Sequence, residues 1–556
     1  MLSYLFQSLG FGEQVVEGIK KARSCWQEKE GGGEGGGEGE GKEEEFALLR
    51  HLESTILSRF MTLVMLPLLG IGRLSELSRK EIDVSGININ GVNYTYSTLS
   101  QFLGQMERVN AGEYLQQALC FWDSELAEGG IQLIYLDGHT KGYHTKRCMN
   151  VGKVTNKNKV MAGTKEIVVQ DEDGHIMALR EYPIDLHLVH AVLKMCLEFK
   201  RDGQKPVAII DREVNSLELG KAYAEEHIGL ITILKKDQYK GVEDFSITHT
   251  YTEVCKGYSS ICEATWADEE RRLNDPRRFV LAQDQKGLRV FWCVAVSQEE
   301  MDGVSIVSNY HHRWPVQEDV FKKMDEIDAL NINYGRKVIE GENRNRKRHQ
   351  EELAGQLEKK EQRLKAREED LTQAQQKLSG TSATKQPKWY EARQKKIGAV
   401  TVEVKKAQDA KETIQKKLDE FGEIGTAYDR DLRKDWIMSL RNGILANLIL
   451  WFMMNLWPQN TKRIGWGTLR DLLNHKGVAV TTGQEIRYLI EPYRNREDQE
   501  NMERVCENFN VLNLQDPSSR IIRFEVKKRQ NQKKTFAANS APCAPVGQIL
   551  KCSFKT

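Results

Sequence analysis

Two short apolar runs in this chain, 131–136 (IQLIYL) and 207–210 (VAII), each end on an aspartate, Asp137 in LDGHTKGYH and Asp211 in IIDREVNS. Runs this brief, containing Ile and bounded by turn formers, read as buried strands rather than helices. Three more runs, 166–170, 176–180 and 230–234, read as strands, and DEDG at 171–174 reads as the turn joining the first two of these. Helical stretches at 186–200 and 217–226 precede and follow the second aspartate's run. Hairpin strands first, then alternating strand and helix, specify a mixed α/β sheet. A further hairpin, 279–282 and 289–296 around Gly287, predicts a β-rich insertion over about 237–305.

A third acid, Glu318, lies in YHHRWPVQEDVF. From Trp314 on, this segment reads as the start of a helix, with Pro315 in the first turn and Val320, Phe321 and Met324 spaced for one apolar face. Two aspartates and a glutamate are oxygen donors of the kind hard divalent cations take. Two such ions about 4 Å apart activate a water or a 3′-hydroxyl and stabilise the leaving oxygen at a phosphodiester. Taken singly, each acid also reads as an ordinary turn or cap residue.

Bulk composition narrows the classes. The chain has 556 residues, enough for several domains, and its 81 basic and 80 acidic residues leave a net charge of +1. A general polycation is excluded, so any nucleic-acid surface must come from local segregation of charge. Ten cysteines without short repeated spacing fit a reducing, cytosolic compartment. Cys255, Cys262 and the nearby His249 match no common zinc spacing and lack a fourth ligand, so they read as plain thiols. The first ten residues carry an apolar patch without a basic leader or a small-residue cleavage site, so no secretory signal is expected. The apolar runs 60–71 and 443–457 fall short of the roughly 20 residues a bilayer helix needs and read as core helices.

The chain divides by composition. Residues 1–30 read as a small amphipathic N-terminal segment or the remnant of something longer, and the tract GGGEGGGEGEGKEEE at 31–45, which cannot bury apolar surface, reads as a flexible acidic linker. Helical periodicity over 46–128, with Leu48, Leu49, Leu52, Ile56 and Leu57 and a cap at Ser97, fits either a DNA-binding helix-turn-helix or an ordinary bundle. Residues 129–336 hold the strands and the three acids. Over 337–425 the chain is highly charged, and Leu357, Leu364, Leu371 and Leu378 repeat every seven residues. A break at SGTSATKQPKW leads to a second run with Ile397, Val404, Ala407, Ile414 and Leu418 on one side. This reads as an antiparallel coiled-coil hairpin over about 343–421 or as a dimerisation coil, since heptads show a seam but not its partner. Residues 426–535 read as helical, including a small helical unit at 466–493, and 536–556 as an unstructured tail. Basic clusters at 344–348 (RNRKR) and 520–534 are dense enough to meet several phosphates, or are solvated charge.

The blocks LDGHTKGYH, IIDREVNS and YHHRWPVQEDVF, in that order, resemble the three catalytic blocks of DDE transposases from bacterial insertion sequences. The similar branch carries a Tyr-x2-Arg-x3-Glu-x6-Lys signature. The resemblance implies a ribonuclease H-like mixed-sheet core with a β-rich insertion and a helical N-terminal domain that binds DNA ends. It implies Asp137, Asp211 and Glu318 as catalytic ligands of Mg²⁺ or Mn²⁺, two ions in all, and Tyr310, Arg313, Lys322 and Lys323 as DNA contacts. The implied reaction is hydrolysis at transposon ends followed by strand transfer into target DNA. The implied setting is a homodimer on double-stranded DNA, in the bacterial cytoplasm at the nucleoid and not on a membrane. His139 and His144 could touch metal or phosphate or be plain sheet and loop residues, and Trp314 could stack on a base or lie in a core.

The chain departs from the signature in the third block. Glu318 follows Arg313 after four intervening residues, so strict spacing lands on Gln317, and Asp325 stands where the signature Lys would follow Glu318. Phe321 matches the apolar position after the catalytic Glu and favours Glu318, with Asp319 as the lesser alternative. Two other readings accompany the departures: a nuclease of the same fold that cuts without joining, and a transposase-derived DNA-binding or scaffold protein without activity.

Overall fold

The computed structural model describes residues 1–31, 51–80, 84, 91–120, 131–186, 188–198, 205–211, 217–239, 245–266, 277–327, 329–459, 464–516 and 518–528. The Gly/Glu linker beyond Gly31 and the tail after Lys528 lie outside the described residues, as do positions 212–216 of the second block. The fold is mixed α/β, built on one ten-stranded sheet.

The strands are β1 (Ile131–Gly142), β2 (Val151–Val154), β3 (Lys159–Gln170), β4 (Ile176–Pro183), β5 (Lys205–Ile210), β6 (Gly229–Ile233), β7 (Ser246–Thr250), β8 (Tyr258–Trp266), β9 (Arg277–Asp284) and β10 (Gly287–Val294). Their order is β2-β3-β1-β5-β6-β10-β9-β8-β7, with β4 also paired to β3. β1, β3 and β4 are antiparallel neighbours, whereas β5 runs parallel to β1 and β6 parallel to β5. The segment expected as a β-rich insertion supplies β7–β10, and these extend the same sheet because β10 pairs antiparallel with the open edge of β6. That pairing satisfies a row of backbone donors and acceptors which would otherwise lie bare. β1 and β3 also run well past the apolar stretches that announce them. Polar residues there stay in the ladder because Lys141 on β1 is buried against Glu166 on β3 and Glu181 on β4.

Helices cover both faces. Helices α6 (Leu188–Glu198) and α7 (Leu217–Glu225) pack on the face that carries Ile134, Leu136, Ala208 and Ile210. We number the helices before them α1 (Leu2–Ser8), α2 (Phe11–Gly31), α3 (Glu53–Met65), α4 (Tyr96–Arg108) and α5 (Gly112–Cys120). The opposite face carries α8 (Gly303–Glu326), which begins well before Trp314. Asp302 caps it by accepting a 2.7 Å bond from the Ser305 amide, so Pro315 sits inside the helix rather than in its first turn. An interior proline costs about 3 kcal/mol. The buried stripe Ile306, Val307, Tyr310, Val320 and Met324, packed on the sheet and the helices beside it, holds the helix through it.

The hairpin follows as α9 (Arg344–Ser379) and α10 (Pro387–Asp419), which pack on each other and pair Arg367 with Glu403 and Glu361 with Lys411. At its base, β11 (Val338–Glu342) and β12 (Thr426–Arg430) form a two-stranded ribbon. Arg344 lies between Asp185 and Asp429, so part of the RNRKR cluster anchors the hairpin instead of facing a phosphate.

Helix α11 (Arg433–Asn455) runs through the centre. It is long and apolar enough to cross a membrane, yet 83% of its apolar window is buried inside this molecule, as expected of a core helix. Helices α1 to α5 share one core with it, so the N-terminal segment and the helical region after the linker are not separate bodies. The cap of α4 is Thr95, whose hydroxyl accepts from the Thr98 amide, and Ser97 falls within the helix.

The C-terminal region contains α12 (Trp466–Leu473) and α13 (Arg496–Val511), but also a three-stranded sheet of β13 (Gly477–Thr481), β14 (Glu485–Ile490) and β15 (Ile521–Val526) where helix alone was expected. Its alternation of buried Ile522, Phe524 and Val526 with more open neighbours is a period of two, which a strand can bury and a helix cannot. Arg520, Arg523 and Lys527 of the second basic cluster are occupied by Asp516, by Asn510 and Asn513, and by Glu491.

The buried Lys141 ammonium is shared by two carboxylates and is held protonated, its own burial outweighed by Glu166 and Glu181. Burial pushes the Glu166 carboxyl up to about 7, while Lys141 and Ser439 hold Glu181 low despite its burial. A carboxyl raised in the folded state stabilises the fold most below its unfolded value of 4.5, and that contribution is lost as pH rises towards 7. Lys141→Ala is therefore expected to cost roughly 3–5 kcal/mol in denaturant unfolding at neutral pH. Between about pH 4.5 and 7, where Glu166 is protonated and Glu181 is charged, Glu166→Gln is expected to cost less than Glu181→Gln, and equal costs would contradict this division of the proton.

Candidate active site

β1 and β5 bring the two aspartates together. In their parallel register Leu136 stands opposite Ile210, which sets the residues that follow, Asp137 and Asp211, side by side. Strands in a sheet lie roughly 4.8 Å apart, a spacing at which two carboxylates can serve one cation. Side-chain alternation decides the face. Tyr135, Val207 and Ile209 share a core with Ile306, Val307 and Tyr310, so Asp137 and Asp211, each two residues further along its strand line, fall on the face under α8.

Each carboxylate is oriented by a donor. The Gly138 amide donates to Asp137 Oδ1 at 2.7 Å, and the Tyr310 hydroxyl donates to Asp211 Oδ1 at 3.2 Å. Tyr310 is held in turn by the Phe291 ring at 5.3 Å and by the Arg313 guanidinium over its face at 5.4 Å. Helix α8 thus passes over the end of β5 at Tyr310. Further along, Phe321 meets His139 of β1, with ring centres 6.0 Å apart. Between these contacts the helix rests on the turn after β3. Gly174 in that turn has φ of 91°, and a side chain there would press on Val316 and Val320 at 3.2 Å.

The third acid is placed differently. Gln317 points inward, 1% exposed, and accepts from the Arg313 guanidinium at 3.0 Å, whereas Glu318 is exposed. One residue along a helix is a turn of about 100°, so these two positions cannot share a face. Tyr310, Arg313 and Gln317 fall on one side because their spacings of three and four residues follow the helical repeat. Among the described residues no three His, Cys, Asp or Glu side chains come close enough to hold a metal ion, so in this geometry Glu318 does not complete a set with the aspartates. Glu318 nonetheless lies along α8 between Tyr310, above Asp211, and Phe321, above His139.

The residues expected to touch DNA separate into two groups. Arg313 is 4% exposed and engaged with Gln317 and Tyr310, so it supports the helix from inside rather than presenting a fork to phosphate. Tyr310 is buried on Asp211, which makes it a positioning residue for that carboxylate. Lys323 pairs with Asp319, and Lys322 is exposed. Trp314 is 60% exposed, which rules out a place in the core and leaves its ring at the surface close to Tyr310 and Glu318 in sequence. His144 is exposed and His139 is bonded to Asn331 at 2.9 Å. Cys255 donates to the Val304 carbonyl and Cys262 lies against Thr250, which suits plain thiols. The role of Asn331, which links His139 to Asn156 and Asp325, carries no sequence signature.

No protein-family model and no curated protein matches the chain. Among solved structures, it is similar to the cryo-EM structure of a piggyBac transposase synaptic complex with hairpin DNA, at 13% identity and a TM-score of 0.34, over 59% of this chain and 69% of that one. A superposition this loose leaves the function to be argued from the site.

Burial first, and then the Lys141 ammonium, push the His139 imidazole down to about 4, so it is neutral at physiological pH. Its signal in a nitrogen-detected imidazole spectrum should stay fixed from about pH 8 to about pH 5, unlike a free histidine that titrates near 6.5. A depressed histidine stabilises the fold above its unfolded value, and that contribution is lost as pH falls towards about 4. A midpoint near 6.5 for His139 would contradict its placement.

Proposed function

We propose that this chain is a DNA transposase with a ribonuclease H-like core, cutting phosphodiester bonds at DNA ends and joining the freed strand to a target. The observation that carries the reading is the pairing of Asp137 and Asp211 at neighbouring positions of parallel β1 and β5, on one face and under one helix. Strand order supports it as well. Reading β4-β3-β1-β5-β6, three antiparallel strands pass into a parallel pair, the arrangement a ribonuclease H-like core requires.

The donor set fits a hard cation. Mg²⁺ is commonly bound through one or two carboxylates, with waters and substrate phosphate completing the shell, and Asp137 and Asp211 offer two such groups. Bound there, Mg²⁺ or Mn²⁺ would polarise the scissile phosphate and lower the pKa of the attacking water or hydroxyl. The chain's own part is orientation. The Tyr310 hydroxyl fixes Asp211, the Gly138 amide fixes Asp137, and Arg313 with Gln317 locks the helix that carries Tyr310. Glu318, on the solvent side of the same helix stretch, would supply the third carboxylate once that flank of the helix is turned towards the aspartates. Exposed Trp314 and Lys322 would then meet the DNA beside it. Joining two ends calls for two protomers on the DNA.

A second reading is favoured by one observation. Gln317 holds the inward position on the helix face of Tyr310 and Arg313, and an amide there brings no charge to a metal. On that reading the chain binds DNA through the same fold without cutting it.

Incubation with labelled duplex ends and Mg²⁺ separates the two. Asp137→Ala and Asp211→Ala are expected to lower cleavage by more than about 100-fold with DNA binding retained, and Tyr310→Phe by roughly 10- to 100-fold, the usual cost of losing a partner of a metal ligand. Glu318→Gln should match the aspartate variants. Full cleavage in Asp137→Ala would end the proposal, and no cleavage by the unaltered chain, with Gln317→Glu gaining some, would establish the second reading.

A further inference from the structure

The hairpin is built at its base to be held and at its tip to be met. Arg344 joins Asp185 and Asp429 at the base, Arg348 lies by Asp185, and Arg346 covers the Phe421 ring. Along the shaft the charges balance, since residues 349–370 and 403–421 together hold twelve acids and ten bases. Some of these pair across the seam, Arg367 with Glu403 and Lys411 with Glu361. Beyond the last of these pairs the balance ends. Residues 371–402 contain six bases, Lys377, Lys385, Lys388, Arg393, Lys395 and Lys396, against one acid, Glu391.

Three further features meet at the same end. Trp389 is 66% exposed in the first turn of α10, an apolar surface that water disfavours. Gln386, the cap of α10, makes no side-chain capping bond, and Pro387 follows it, so the positive end of a 33-residue helix faces the tip. Arg393 is turned inward, donating to the Lys377 carbonyl and the Thr381 hydroxyl, which fixes the loop between the helices. The other five bases are exposed. At about 1.5 Å per residue the helices carry this surface roughly 50 Å from the base of the hairpin.

We infer that the tip of the helical hairpin is a second DNA-binding surface, at which Lys385, Lys388, Lys395 and Lys396 meet backbone phosphates while Trp389 packs on the sugar and base edges. The inference rests on the reading of the chain as a protein that acts on DNA, and it assigns a surface away from the aspartates. Lysines around an uncapped helix N-terminus suit phosphate oxygens. An exposed aromatic ring beside them adds an apolar contact that requires no particular base. The near-neutral chain thus concentrates positive charge at the end of a long helical pair, and the shaft, with its matched charges, stays clear of the polyanion.

The test uses the full chain and a fluorescent duplex of about 40 base pairs, longer than the hairpin's reach, titrated over a series of salt concentrations. The variant Lys385→Ala/Lys388→Ala/Lys395→Ala/Lys396→Ala should bind at least about tenfold more weakly near 0.1 M salt, with a slope of log affinity against log salt shallower by roughly three. Trp389→Ala should weaken binding several-fold with the slope unchanged, and arginine at the four lysine positions should restore both quantities. Wild-type affinity and slope in the fourfold alanine variant overturn the proposal, as does capture of anionic phospholipid vesicles by the same four lysines in place of DNA. Cleavage at saturating DNA is read in parallel. If it is absent while the lysine-dependent slope persists, the catalytic reading fails and this one stands; if it is present while the slope is unchanged, only this one fails.

Discussion

Helix α11 supplies the contacts on which the rest of the molecule depends, because its polar side chains bond the edge of the sheet along β4. Asn447 accepts from the Ile176 amide at 2.7 Å and donates to the Ile176 carbonyl at 2.9 Å, so one side chain pairs with β4 as a strand residue would. The Trp436 indole, about three turns earlier on the helix, donates to the Leu179 carbonyl at 2.6 Å. A bare edge invites pairing with other chains, and β4 is closed here by a helix. Ser439 of the same helix bonds the buried Lys141 and Glu181, so the charged cluster on the sheet is satisfied only when α11 is docked. Arg441, fully buried, reaches the Leu63 carbonyl and the Tyr334 hydroxyl and thereby ties the N-terminal helices to the same axis. Burying that guanidinium is costly without such partners, so α11 specifies one arrangement of the surrounding elements.

The candidate site inherits its geometry from this arrangement. β1 is the strand shared by the antiparallel and parallel halves of the sheet, and Asp137 sits where the two regimes meet. Helix α8 crosses above it, clamped by Phe291 and Asp211 through Tyr310 at one end and by the Gly174 turn and His139 further on. With a single buried stripe deciding the helix phase, Gln317 faces in and Glu318 faces out. The four residues between Arg313 and Glu318 all lie within continuous helix, which leaves Glu318 on the outer flank.

Charge follows a similar division between fold and exposure. The bases of RNRKR and of the C-terminal strand are consumed by acids, the distant Asp185 at one, and the local Asp516 with the more distant Glu491 at the other. The less conspicuous lysines at the hairpin tip are exposed, and the local sequence offers them a single acid, Glu391.

Much of the core was legible because its signals are local. The apolar runs ending on Asp137 and Asp211, the DEDG turn and the heptad leucines each act through neighbouring residues, and each set its element before any long-range contact was known. Their limits were less visible. β1 continues through Thr140 and Lys141 only because Glu166 and Glu181 come to meet a lysine, and α8 starts after its cap at Asp302 and continues through Pro315 because its buried stripe holds it to the sheet. The C-terminal strands alternate as strands do, but over only five or six residues each and between helical stretches. By itself the sequence determined a mixed sheet with two aspartates at strand positions and a charged helical pair. Only tertiary structure decided that the aspartates are neighbours, that Gln317 and not Glu318 faces the sheet, and which basic residues stay exposed. Strand register, helix phase and ion pairing depend on groups brought together from distant parts of the chain, and no local pattern encodes those encounters.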